Sequence, residues 1–214
     1  MIKAALFDLD GVIFDTEAQY SIFWGGEVKR YFPESEGLEQ KIKGQTLPQI
    51  FEAVFSTIPE EHPAISERLN AFEAALAFNY VPGFVAFVQQ LRKRGIAVGV
   101  VTSSTREKMA NVYRAHPEFQ GLVDRIFTAE EFPRSKPFPD CYLLASAAFG
   151  VAPEECVGFE DSFNGLKAVR AAGMRVIGLA TTNAAEEILP YCDAVISDFL
   201  AADNVLKVAS IRRS

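Results

Sequence analysis

The apolar run Ala4-Ala5-Leu6-Phe7 gives way at once to charge, with Asp8, Asp10 and the turn-forming Gly11. A short, wholly apolar run fits a parallel strand buried on both faces, and such strands belong to sheets covered by helices. Carboxylates at the end of such a strand face the crevice into which the carboxyl ends of parallel strands open. Residues i and i+2 of an extended segment point the same way, so Asp8 and Asp10 are expected to crowd together. Like charges that close call for a cation. A hard, oxygen-loving ion such as Mg²⁺ would relieve the repulsion and create a site for phosphate.

From Glu17 the periodicity turns helical and stays so for a long block. Helices are predicted over Glu17 to Tyr31, Leu38 to Lys43, Pro48 to Thr57 and His62 to Tyr80, with no strand candidate between them. After Val81-Pro82-Gly83, strands and helices alternate. Predicted strands run from Ile96 to Val101, Arg125 to Thr128, Glu155 to Phe159, Arg175 to Leu179 and Asp193 to Ile196. Helices are predicted over Phe84 to Arg94, Arg106 to His116, Cys141 to Phe149, Phe163 to Ala172 and Ala184 to Leu189. This alternation predicts an α/β fold, a parallel sheet with helices on both faces. The helical block interrupts the order after the first strand and is expected to lie over the crevice as a lid. Ile211 to Ser214 reads as a frayed tail.

Twenty-one basic residues against 28 acidic ones give a net charge of −7. That balance disfavours nucleic acid and anionic membrane as partners, so a phosphate site must draw its positive charge from a few local residues. No stretch approaches a membrane span and the N-terminus reads directly as a strand, so a cytoplasmic location is expected by default. A monomer is expected as well, although no motif bears on the oligomeric state. Cys141, Cys156 and Cys192 lack C-x-x-C spacing and read as reduced, buried thiols. The two histidines, His62 and His116, each precede a proline and are poor partners for a cysteine nucleophile.

Polar clusters follow the predicted strands: Thr102-Ser103-Ser104, the loop around Lys136, and Glu160-Asp161-Ser162. Singly, each has an ordinary explanation as a helix cap or a solvated loop lysine. Together with Asp8 and Asp10 they converge on one crevice and supply the parts of phosphoryl transfer through an aspartyl phosphate. Asp8 would attack phosphorus. Asp10 would protonate the leaving oxygen and then deprotonate water. Asp8, Glu160, Asp161 and a backbone carbonyl, that of Asp10 being nearest, would hold Mg²⁺. Thr102 and Ser103, with backbone N–H groups of the next helix, would bind phosphate oxygens, and Lys136 would add positive charge.

In this order, Asp8-Leu9-Asp10-Gly11-Val12, Val101-Thr102-Ser103, Ser135-Lys136-Pro137-x-Pro139-Asp140 and Gly158-Phe159-Glu160-Asp161-Ser162 resemble the motifs of the haloacid dehalogenase-like hydrolases. The resemblance extends to the branch of β-phosphoglucomutases and sugar-phosphate phosphatases and covers essentially the whole chain. It implies a Rossmann-like core of residues 1–15 and 82–214 with a helical cap, residues 16–81. It also implies a small phosphorylated metabolite, a sugar phosphate, as substrate. Lys43-Gly44-Gln45-Thr46 is similar to the family's cap loop, which makes Lys43 and Gln45 candidate substrate contacts, although an interhelical turn explains the stretch equally well. Asp15 matches the family pattern and would serve as well as a cap for the helix at Glu17. Tyr20 and Trp24 would line the pocket or pack in the cap core. β-Phosphoglucomutases carry a His and an Arg where this chain has Tyr20 and Leu47, which favours a phosphatase over a phosphosugar mutase. A dehalogenase would have no use for Asp10 with Glu160-Asp161. A receiver-type module would place its acceptor on a later strand and lack the lid, and a catalytically dead binding protein would not need the full set of residues.

Overall fold

Strand β1 (Ala4–Phe7) lies at the centre of a six-stranded parallel sheet with β2 (Ala97–Val101), β3 (Arg125–Phe127), β4 (Cys156–Glu160), β5 (Arg175–Leu179) and β6 (Ala194–Ile196). This computed structural model describes residues 1–35, 37–201 and 207. The strand order is β3-β2-β1-β4-β5-β6. From β1 the chain builds outward first through β2 and then, on the other side, through β4. The order therefore reverses between β1 and β4, where the crevice beyond the strand ends is widest.

The central strands β1 and β2 are wholly without polar side chains, and in β4 only the terminal Glu160 is polar, because both faces are covered. Ala5 and Phe7 join one cluster with Phe84, Phe87 and Phe159, while Ala4 and Leu6 join the opposite one with Val101, Tyr142 and Leu166. This is the period-two alternation of a strand dividing two cores. Phe7 and Phe159 stack with ring centroids 4.5 Å apart across neighbouring strands. Each such buried ring contributes about 1.5–3 kcal/mol.

Between β1 and β2 come α1 (Glu17–Tyr31), α2 (Leu47–Ala53), α3 (His62–Ala74) and α4 (Phe84–Lys93). Trp24, Val28, Ile50, Phe55, Ile65 and Leu69 form a third apolar cluster, so α1, α2 and α3 pack around a core of their own. The remaining helices are α5 (Arg106–Ala115), α6 (Phe119–Leu122), α7 (Asp140–Ala148), α8 (Phe163–Ala171) and α9 (Ala185–Ile188).

The helical block departs from expectation at several points. Leu38–Lys41 is a 3₁₀ turn, α2 stops at Ala53, and α3 stops at Ala74 rather than reaching Tyr80. Beyond α3 the chain is extended, and Tyr80 forms an antiparallel bridge with Phe14. Asp15 and Val81 complete this link by donating N–H bonds to Asn79 and Ile13. The physical reason is visible in burial: Leu76 and Phe78 are buried while Ala77 and Asn79 are exposed, an alternation of period two. A helix here would turn one of the two apolar side chains to water.

α6 was not foreseen, being a single turn. Cys141 and Cys156 are buried free thiols, whereas Cys192 is half-buried because it follows the turn that leads to the edge strand β6. Ile211 to Ser214 lie outside the described residues. Among the described residues no helix is long and apolar enough to cross a membrane.

Candidate active site

Asp8 directly follows β1, and the loop after it is pinned from beneath: Leu9, Val12, Ile13 and Phe14 are fully buried. Gly11 closes this loop at φ +71°. A Cβ there would lie 2.1 Å from Asp161 Oδ2, so only glycine lets the loop after β1 and the loop after β4 approach this closely. Thr181 reinforces the junction by donating to the Gly11 carbonyl at 2.6 Å.

The Lys136 ammonium reaches Asp8 Oδ1 at 2.7 Å, Glu160 Oε1 at 2.5 Å and the Val101 carbonyl at 3.0 Å. Its three protons thus have three fixed acceptors on β2 and on the loops and strand ends beside it. A solvated loop lysine is excluded, since the side chain is 5% exposed. Glu160 is wholly buried and also accepts from the Tyr142 hydroxyl at 2.7 Å. Gly165 makes room for it: a Cβ there would meet the Glu160 carboxyl at 1.9–2.2 Å. Oxygen atoms of Asp8, Glu160 and Asp161 converge to within 4.8 Å of one another. Three carboxylates with one ammonium among them form an oxygen-only donor set with excess negative charge, which fits a hard divalent cation.

Burial, opposed in part by Lys136, raises the Asp8 carboxyl to about 7. Burial also raises Asp161 well above the usual carboxylate range, helped by Glu17, Asp8 and Glu160. Burial disfavours the charged form of Lys136, yet Asp8 and Glu160 hold its pKa above the ordinary value. A cation among the carboxylates would restore their ionised form.

Asp10 departs from the expected crowding. Its carboxylate turns away from that cluster, accepting from Thr16 Oγ1 at 2.7 Å and Ser104 Oγ at 3.3 Å and pairing with the Lys108 ammonium. The cause is that β1 ends at Phe7, so the i, i+2 rule of an extended strand no longer holds across the turn. Thr16 was overlooked as a partner; it, and not Asp15, stands at the N-cap position of α1, and its hydroxyl is directed to Asp10 and makes no side-chain cap bond. The ordinary capping explanation holds for one polar stretch and fails for another. Ser162, of Glu160-Asp161-Ser162, caps α8 by accepting from Gly165 N–H, whereas α5 is capped by Thr105, outside Thr102-Ser103-Ser104, which accepts from Lys108 N–H. Thr102 is buried, with its hydroxyl oxygen accepting from Ser104 N–H.

Asp8, Asp10, Thr102, Ser103, Lys136 and Asp161 open into one cavity of about 390 Å³. Its other wall comes from the helical block and includes Glu17, Tyr20, Trp24, Lys43, Gln45 and Glu73. Glu160 lies beneath, outside the lining. Trp24 serves both as core and as wall. The Lys43–Thr46 stretch is more than a turn between helices. Gly44 sits at φ +66° where a Cβ would be 2.5 Å from Ser162 Cβ, Lys43 donates to the Thr182 carbonyl at 3.3 Å, and Gln49 donates to the Lys136 carbonyl at 3.3 Å. Burial raises Glu17 to about 7, with Asp10 adding to the shift. Thr182, which donates to Asp161 Oδ2, was legible as part of the polar run Thr181-Thr182-Asn183 after β5, a strand-end signal like the others. Lys108, inside a helix, carried no comparable signal.

The family model for haloacid dehalogenase-like hydrolases matches residues 2–173. Hexitol phosphatase A of Escherichia coli (strain K12) is 33% identical, the match covering 83% of this chain and 82% of that protein. Validoxylamine A 7'-phosphate phosphatase of Streptomyces hygroscopicus subsp. limoneus is 29% identical over 92% of this chain and 94% of its own. The crystal structure of CbbY from Rhodobacter sphaeroides in complex with phosphate superimposes with a TM-score of 0.75 at 26% identity, covering 94% of this chain and 99% of that one.

Proposed function

We propose, on the premise that this chain belongs to the haloacid dehalogenase-like hydrolases, that it is a Mg²⁺-dependent phosphatase releasing phosphate from small phosphomonoesters by way of an aspartyl phosphate on Asp8. The observation that carries the reading is the meeting of Asp8, Lys136, Glu160 and Asp161 at strand ends beneath a cavity large enough for a phosphorylated metabolite. The hexitol-phosphate and validoxylamine-phosphate specificities of its relatives support a sugar-like or polyol substrate.

Asp8 Oδ attacks phosphorus, and its partner Lys136 offsets the charge that accumulates as carboxylate and phosphate approach. Thr102 and Ser103 hold phosphate oxygens at the end of β2. Asp10 gives a proton to the departing alkoxide and takes one from the water that hydrolyses the acyl phosphate; Thr16, Ser104 and Lys108 hold its carboxylate in the meantime. Asp8 and Asp161, with Glu160 behind and the Asp10 carbonyl, are the residues that would hold Mg²⁺, which supplies charge neutralisation at the transferring phosphoryl group. Lys43 and Gln45 reach the substrate from the cap, whose extent we place at residues 16–81.

A mutase would need a clamp for a second phosphate in the cap. Tyr20 instead donates its hydroxyl to Glu73 at 2.7 Å, and Leu47 lines the cavity without polar atoms in its side chain, which favours hydrolysis. The test is phosphate release from a panel of sugar phosphates, polyol phosphates and nucleotides, with and without Mg²⁺, for the wild type and Asp8→Asn. The expected result is Mg²⁺-dependent release that Asp8→Asn abolishes. Turnover unaffected by EDTA or by that substitution would refute the mechanism. Conversion of β-glucose 1-phosphate into glucose 6-phosphate, primed by the bisphosphate, would replace it with the mutase.

A further inference from the structure

The three carboxylates that converge for a cation, Asp8, Glu160 and Asp161, are held unequally. Lys136 reaches Asp8 and Glu160, and the Tyr142 hydroxyl adds a second donor to Glu160. Asp161 is buried as well but receives neither. Among the described residues no ammonium or guanidinium pairs with it, and the Thr182 hydroxyl is the one group that donates to its carboxylate, at Oδ2. Thr182 is itself fixed from several sides, within the run Thr181-Thr182-Asn183 that follows β5. Thr181 donates to the Gly11 carbonyl at 2.6 Å, Asn183 Nδ2 to the Asp161 carbonyl at 3.0 Å, and the Thr182 carbonyl accepts from the Lys43 ammonium at 3.3 Å. A Cβ on Gly11 would stand 2.1 Å from Asp161 Oδ2 and 2.9 Å from Thr182 Oγ1, so the bare glycine leaves the space in which hydroxyl and carboxylate meet. The run thus ties together the loop after β1, the loop after β4 and the helical block.

We propose that Thr182 is a positioning residue for the cation site: its hydroxyl fixes the rotation of the Asp161 carboxylate, and the affinity of the site for Mg²⁺ depends on that bond. The inference rests on the metal-dependent phosphatase reading and adds to it a residue outside the four sequence motifs. A carboxylate offers about four lone-pair sites, so a single hydroxyl donor orients it and leaves the other sites for a cation. Without that donor the Asp161 carboxylate has no hydrogen-bond partner to hold it, and part of the free energy of metal binding goes into ordering it. Losing an outer partner of this kind typically weakens a metal site by about 10- to 100-fold.

Thermal unfolding of the metal-free wild type, Thr182→Val and Thr182→Ser at pH 8, over a range of Mg²⁺ concentrations, gives each dissociation constant from the rise in Tm and needs no turnover. Thr182→Val removes the donor at nearly constant volume and is expected to weaken Mg²⁺ binding by about 10- to 100-fold, whereas Thr182→Ser should restore it to within a few-fold. In steady-state kinetics the Mg²⁺ concentration for half-activation should rise by the same factor, with kcat at saturating Mg²⁺ changed far less. A role in packing alone would lower the metal-free Tm and leave the dissociation constant where it was, which overturns the proposal. An equal weakening in Thr182→Ser would assign the effect to the methyl group and overturns it too. A wild-type Tm indifferent to Mg²⁺ removes the metal from the phosphatase reading, and this proposal with it; wild-type binding that Thr182→Val leaves at full affinity overturns the proposal alone. Should the valine variant not fold, Thr182→Ala removes the same donor and is read in the same way.

Discussion

Lys136 and Glu160 form a buried pair in which neither partner can turn to water, with side chains 5% and 0% exposed. Removing the ammonium leaves Glu160 with two neutral hydroxyl donors, Tyr142 at 2.7 Å and Ser162 at 3.5 Å, and breaking such a pair typically costs about 3–5 kcal/mol. Lys136→Met is therefore expected to lower the urea-unfolding free energy by about that amount when measured in EDTA, and to abolish phosphate release. A wild-type unfolding midpoint would show that the pair contributes nothing to stability. At Asp10 the expected effect is chemical. Asp10→Asn should reduce turnover by about 10²–10⁴ on alkyl phosphates and by much less on p-nitrophenyl phosphate, whose leaving group needs no proton. Equal losses on both esters would take leaving-group protonation away from Asp10. Thr16, Ser104 and Lys108 hold this carboxylate; Ser104 belongs to a polar cluster legible in the sequence, while Thr16 and Lys108 escaped notice because each sits where a polar residue is unremarkable.

At the scale of elements, the helical block meets the sheet through a few close approaches. Gly44, in the stretch leading into α2, lies against Ser162, the cap of α8, and Asn164 donates to its carbonyl at 3.4 Å. Gly44→Ala places a Cβ in a left-handed conformation, which costs about 1–2 kcal/mol, and drives it into Ser162. The core of α1, α2 and α3 is untouched by that change. The expected outcome is a small loss of stability and a much larger loss of kcat/KM, on the order of 10²-fold, because the cap seats about an ångström away from its proper place. Steady-state kinetics beside a urea titration separates the two; proportionate losses would mean that the contact serves folding and not closure. The extended return from Leu76 to Tyr80 belongs at this scale too. Its alternating burial was present in the sequence, but it followed so closely on the helical pattern of α3 that the helix was carried too far.

For the whole molecule, the decisive quantity is the uncompensated acidity at the sheet's carboxyl end. Asp8 and Glu17 are each raised by burial to about 7, and Asp161 is raised well above the ordinary range. An acid whose pKa is higher in the folded state holds more protons there than in the unfolded chain. Stability without metal therefore falls as pH rises from about 4, the unfolded value, through about 7. Carboxylates shifted the other way, such as Asp140 beside Arg134 and Glu155 beside Lys3, act only below about 4.5, where they lose their partners as pH falls. Thermal unfolding in EDTA should thus give a higher Tm at pH 5.5 than at pH 8. Saturating Mg²⁺ should raise the Tm at pH 8, an added stability of about 2.7 kcal/mol at a hundredfold excess over Kd, and should do so far less in Asp161→Asn. A Tm at pH 8 indifferent to Mg²⁺ would argue against a metal at these carboxylates.

The sequence by itself determined the class of fold, the strands and their order in the chain, and the residues that gather at the strand ends. These follow from local regularities: apolar runs of strand length, helical spacing, and polar residues placed directly after a strand, which a parallel sheet must bring to one edge. Asp8, Thr102 and Asp161 could be found in that way because each directly follows a strand, and Glu160 because it ends one, whereas Lys136 lies well past β3 in the loop that opens α7. The tertiary structure alone decided that Asp10 turns from the carboxylate cluster to Lys108, that Lys136 lies buried between Asp8 and Glu160, and that Glu73 on α3 joins Glu17 on α1 in one wall. Such pairings join side chains from distant parts of the chain. Their partners are chosen by distance and desolvation after the elements have packed, and no spacing along the chain encodes either.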